Sequence, residues 1–141
     1  MNSVYLEIKT MSPSQPLRLL LLICVAFFLC MGTAHFFGIK VPVLFVYYDT
    51  PFYAYQDRII SFSLVSYACL FFAASRDRAI VPLALIALWA TVLGLAYVNQ
   101  STELAEVLET QGTSIYWLQT AAFAGLAVVL TALTLRERKE T

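Results

Sequence analysis

The sequence predicts an all-α fold, an integral membrane four-helix bundle that is antiparallel and has both termini cytoplasmic. Three observations predict it. Four long runs carry no formal charge, the hydrophobic share is 60% against 13% charged, and the basic residues gather on alternate connections. Soluble domains hold about 45–50% apolar and about 25% charged residues. A chain of 141 residues with mean hydropathy +0.76 has too little interior to hide that much apolar side chain, so the excess faces lipid or another protein. We read 1–141 as a single transmembrane domain with spans at about 19–39, 59–75, 79–98 and 115–135.

The first span, Leu19 to Ile39, lies between Arg18 and Lys40. Its 21 helical residues rise about 1.5 Å each and cover a hydrocarbon core of about 30 Å. The second, Ile59 to Ser75, is fenced by Arg58 and Arg76 and has only 17 residues, near the lower limit, with flanking arginines able to snorkel. The third, Ala79 to Val98, carries Pro82 in its first turn, where a missing backbone donor does little harm. The fourth, Ile115 to Leu135, opens after Thr113 and Ser114 and closes on Arg136, Arg138 and Lys139, a cap and cations suited to the two helix ends. Continuous rather than alternating apolarity argues against barrel strands.

Orientation follows from Lys and Arg. Lys9, Arg18, Arg76, Arg78, Arg136, Arg138 and Lys139 fall on one side, and Lys40 and Arg58 on the other; basic residues concentrate on the cytoplasmic side. A cleaved leader, with Gly32 and Ala34 as the small residues before a cleavage site at His35, is the rival reading of span one. Against it, the apolar stretch runs on through His35 to Ile39, and cleavage would leave an odd number of spans. The expected location is the cell membrane, multi-pass, of the bacterial inner-membrane kind.

Two segments join the spans on the outer side. Residues 40–58 contain Pro42 and Pro51 and are rich in aromatics, and they are expected to lie along the membrane surface. Tyr47, Tyr48, Phe52, Tyr53 and Tyr55 suit headgroup depth, either as plain anchors or as the rim of a ligand site. Thr102 to Gln111 is expected to form a short helix capped by Ser101 and stopped by Gly112. Arg76, Asp77 and Arg78 alone connect spans two and three, so those helices are expected to be antiparallel neighbours and the firmest contact. Ala84, Ala87, Thr91 and Gly94 in span three, and Thr120, Ala124, Ala127, Thr131 and Thr134 in span four, form small-residue seams that let backbones approach.

Several chemistries lack their residues. No Asp, Glu, Lys or Arg lies inside a span, which removes the usual carrier of ion-coupled transport. Cys24 and Cys30 are six apart, about 120° off on a helix, and no CxxC occurs. His35 is the only histidine, poor support for a metal or haem, and no cofactor is expected. Phosphate-loop, GxSxG and HExxH patterns are absent. Zero net charge with dispersed basic residues gives no reason to expect nucleic acid as a partner.

One polar cluster remains. His35 ends span one where Tyr55, Gln56, Asp57 and Arg58 open span two, so His35 is expected near Asp57 or Asp49. Gln56, Ser63 and Tyr67 share a helical face and are expected to extend a polar stripe into the bundle. The candidate ligand-binding residues are therefore His35, Tyr55, Gln56, Asp57, Arg58, Ser63 and Tyr67, with no catalytic residue assigned. The bland reading is that they cap and orient span two. The first function expected is that of a non-enzymatic accessory or assembly component. Its partners are the lipid bilayer and, through the seams, another membrane protein or a second copy. The alternative is a binder of, or an enzyme acting on, an apolar molecule such as a lipid or quinone at an outer-leaflet pocket around His35, Asp57 and Arg58.

Overall fold

The computed structural model describes residues 12–40, 53–109 and 112–139, all of whose regular elements are helical. In order they are α1 (Gln15–Phe37), α2 (Tyr53–Arg76), a 3-10 turn (Arg78–Ile80), α3 (Val81–Asn99), the short α4 (Thr102–Leu108) and α5 (Ser114–Lys139). Four of them, with α3 counted together with its leading turn, are long and apolar enough to cross a membrane. Tyr47, Tyr48, Asp49 and Phe52, the side chain of Tyr53, and Gln111 lie outside the described residues.

Local chemistry sets the helix ends. Pro16 occupies the first turn of α1, where its missing N–H and fixed φ suit the helix. Gly38 ends it at φ +64°, a left-handed conformation open to glycine. The Gly38 N–H donates to the His35 carbonyl and the Ile39 N–H to the Ala34 carbonyl, a Schellman closure. The apolar run to Ile39 thus overshoots the helix by two residues, because lipophilicity does not register a C-cap. Asp77 accepts from the Ala79 N–H at 2.9 Å and turns the chain into α3. Ser101 caps α4 by accepting from the Leu104 N–H at 3.2 Å, as the sequence predicts. That helix stops at Leu108, earlier than expected, with Glu109 at φ +49°.

The start of span two is corrected. α2 begins at Tyr53, six residues before the apolar run. Tyr55, Gln56, Asp57 and Arg58 are therefore helical rather than part of a surface loop, and at 24 residues α2 is about 36 Å long, which removes any shortfall.

Packing follows a three–four repeat. Leu17, Leu21, Cys24, Phe28 and Met31 are the buried line of α1, and Ser61, Leu64, Ala68, Phe71 and Ser75 that of α2. Thr120, Phe123, Ala127, Leu130 and Thr134 form the line of α5. This is the spacing of knobs-into-holes packing. Continued one step, the first line reaches His35, and traced back one step, the second reaches Asp57. Phe28 meets Tyr67 and Phe71 at ring distances of 5.3 and 5.2 Å, Gly32 lies against Leu64 and Ser61, and His35 meets Asp57. Numbers rise along α1 as they fall along α2.

α1 with α2 is the most extensive pairing and α3 with α5 the next, whereas α2 and α3 touch less. The short connection does place α2 beside α3, where the Tyr67 hydroxyl and Thr91 Oγ1 are 2.6 Å apart, but that contact is not the firmest. The small-residue seams turn mostly inward. Ala84 and Ala127 are buried, Thr131 accepts from Trp89 Nε1 at 3.2 Å, and Thr120 accepts from the buried Asn99 amide at 2.8 Å. Gly94 is exposed. At the opposite end from His35, Glu137 accepts from the Ser14 N–H at 2.7 Å and faces Arg78 Nε at 3.5 Å. It ties the start of α1, the 76–81 turn and the end of α5 together.

Candidate functional site

The site is built at the end of the α1–α2 seam. His35 sits in the last turn of α1, held in place by the Gly38 closure that fixes the helix end. Asp57 lies one turn inside the start of α2. Their Nδ1 and Oδ1 atoms are 2.9 Å apart, and the two residues are 9% and 8% exposed. A carboxylate only accepts, so in this contact the His35 Nδ1–H donates to Asp57 Oδ1. The Ser61 hydroxyl, one turn further on, donates to the Arg58 carbonyl at 2.6 Å and so continues the polar side of the seam by satisfying backbone rather than reaching the pair.

The second oxygen of Asp57 is different. Oδ2 is buried and has no hydrogen-bond partner among the described residues, an arrangement costly enough to call for an explanation. Asp57 and His35 line a hollow of ≈ 270 Å³ together with Arg58, Lys40, Phe36 and Phe37. Arg58 is exposed, and its guanidinium meets no carboxylate among the described residues. A second cavity of ≈ 320 Å³ runs between α1 and α2, lined by Leu29, Gly32, Thr33, Phe62 and Val65 and again by Phe36 and Phe37. The two phenylalanines pack edge to face at 5.1 Å, and Phe36 meets Phe62 in the same way at 6.2 Å. They stand where a polar hollow adjoins an apolar groove.

The sequence-predicted residues divide. His35, Asp57 and Arg58 come together. Tyr55 is 69% exposed and points away from the pair's buried line. The expected polar stripe is corrected: Gln56 and Ser63 are exposed, because the inward line of α2 passes through Asp57, Ser61 and Leu64. Tyr67 is half-buried and bonded to Thr91, ten residues and about 15 Å along the helix from Asp57. Phe36, Phe37, Gly32 and Phe62 were not read as site residues. Gly32 carried a signal, since a side-chain-free position beside a seam permits close approach; a Cβ there would lie 3.4 Å from Leu64 Cβ and from the Ser61 carbonyl oxygen.

Chemically, the arrangement holds a buried imidazole–carboxylate hydrogen bond, presents a cation at a mouth and offers an acceptor unfilled by the described residues. His35 and Asp57 supply two metal-type donors, and among the described residues no third joins them. No protein-family model, curated protein or solved structure matches the chain.

Proposed function

We propose that this four-span protein is an antiparallel bundle of the cell membrane that binds an amphiphilic small molecule, without catalysis, at the outer end of its α1–α2 seam. The observation that carries the reading is the polar hollow at His35, Asp57 and Arg58 adjoining an apolar groove, with Asp57 Oδ2 lacking a donor among the described residues. Pockets for small molecules are mostly apolar with a few convergent polar groups. The cluster of Arg18, Arg76, Arg78, Arg136, Arg138 and Lys139 at the opposite end supports a cytoplasmic side there, and the reading takes the hollow as outer. An accessory subunit would need an uncovered small-residue seam. Most of both seams is used between the chain's own α3 and α5, so that reading ranks second.

The test is native mass spectrometry of the protein released gently from its own membrane. The reading expects a stoichiometric small molecule that is depleted in the Arg58→Ala protein, an exposed substitution that leaves the core intact. A protein partner retained without any small molecule would overturn it in favour of an accessory subunit.

A further inference from the structure

Resting on that binding reading, we infer that the occupant is a membrane phospholipid whose headgroup is anionic and bears a hydroxyl, its phosphate at Arg58 and one acyl chain in the groove between α1 and α2. Charge favours an anion. Arg58 brings an exposed guanidinium to the mouth of the hollow, and Asp57, the one carboxylate among its described lining residues, is already engaged through Oδ1 with His35. A guanidinium presents a planar fork that matches phosphate oxygens, and this one meets no carboxylate among the described residues.

The headgroup needs a donor as well. Asp57 is 8% exposed and lines the hollow, and its Oδ2 has no partner among the described residues. A carboxylate oxygen accepts only, so a bare phosphate leaves it unsatisfied while a hydroxylated head supplies the missing hydrogen. The acyl chain has its own place. Gly32 leaves the groove open beside Ser61, and Leu29, Val65 and Phe62 offer apolar walls that continue from the hollow through Phe36 and Phe37. Headgroup and chain contacts are thus adjacent, as one lipid molecule requires.

The experiment loads delipidated full-length protein with phosphatidylglycerol, phosphatidylethanolamine or phosphatidylcholine at equal concentration and reads retained lipid by native mass spectrometry. Phosphatidylglycerol is expected to be retained over phosphatidylcholine by roughly fivefold, about what one partly exposed charge pair supplies. Arg58→Gln is expected to bring that ratio near one. Thr33→Trp, an exposed change that fills the groove, is expected to lower retention of all three lipids. Equal retention of phosphatidylglycerol and phosphatidylcholine overturns the anionic headgroup and leaves the binding reading standing. Phosphatidylethanolamine held as strongly as phosphatidylglycerol assigns recognition to the donor and overturns the anion. Displacement by glycerol phosphate alone overturns the lipid. No lipid retained above that of the Thr33→Trp protein overturns both readings.

Discussion

Removing His35 should destabilise the protein more than removing Asp57, although the two share one contact. Their side chains are 10% and 12% exposed and meet at 2.9 Å. Breaking a buried pair of this kind costs about 3–5 kcal/mol because a partner is left behind. His35→Ala leaves a carboxylate with two unpartnered oxygens, since Oδ2 already lacks one, and belongs at the upper end, about 4 kcal/mol or more. Asp57→Ala removes that orphan oxygen along with the pair, recovering about 1–3 kcal/mol of desolvation cost, for a net loss of about 1–3 kcal/mol. In the double variant only packing is lost, about 3 kcal/mol, so the coupling energy is roughly 3 kcal/mol. Reversible unfolding in mixed micelles, followed by far-ultraviolet circular dichroism, measures all four corners of this cycle. Additive losses, or a larger loss for Asp57→Ala, would refute the reasoning.

Other expectations concern the frame around the site. Phe28 is buried among the rings of Phe27, Tyr67, Phe71 and Phe123, so Phe28→Ala should cost about 3–5 kcal/mol in the same unfolding assay; a loss under about 1 kcal/mol would mean the ring cluster closes over the gap. Ser101→Ala deletes the cap on the Leu104 N–H and should weaken α4 locally by about 1 kcal/mol, seen as faster amide exchange at Leu104 with the four long helices unchanged. Glu137→Ala removes the acceptor of the Ser14 N–H and the carboxylate facing Arg78 and should lower stability by about 1–3 kcal/mol. Its first sign should be faster exchange at the Ser14 amide, and unchanged exchange there would show that the tie carries no load.

The four long helices were legible because apolar length is a coarse property that survives any detail of packing. The α4 cap was legible because Ser101 acts on a neighbour three residues away. The start of α2 was not, since hydropathy falls at Arg58 while backbone hydrogen bonding runs back to Tyr53. The polar stripe failed for a related reason: Gln56, Ser63 and Tyr67 do share a face, but the buried face is set by the three–four line through Leu64, Ala68 and Phe71. Extending that line back would have selected Asp57, and extending Leu17, Leu21, Cys24, Phe28 and Met31 forward would have selected His35. The groove was not legible, because Phe36, Phe37 and Phe62 read as ordinary span residues until α1 is laid against α2.

The proposed site requires the hollow at His35 and Asp57 and the turn at Arg76–Arg78 to lie on opposite faces of the membrane. Sided cysteine labelling tests this most directly, with Cys24, Cys30 and Cys69 replaced and one new thiol placed at a time by Gln100→Cys, Ala79→Cys or Lys139→Cys, all exposed positions. A membrane-impermeant maleimide applied to intact cells should label Gln100→Cys, and should reach Ala79→Cys and Lys139→Cys only after permeabilisation. Labelling of Ala79→Cys from the same side as Gln100→Cys would contradict the four-span arrangement and the site built upon it.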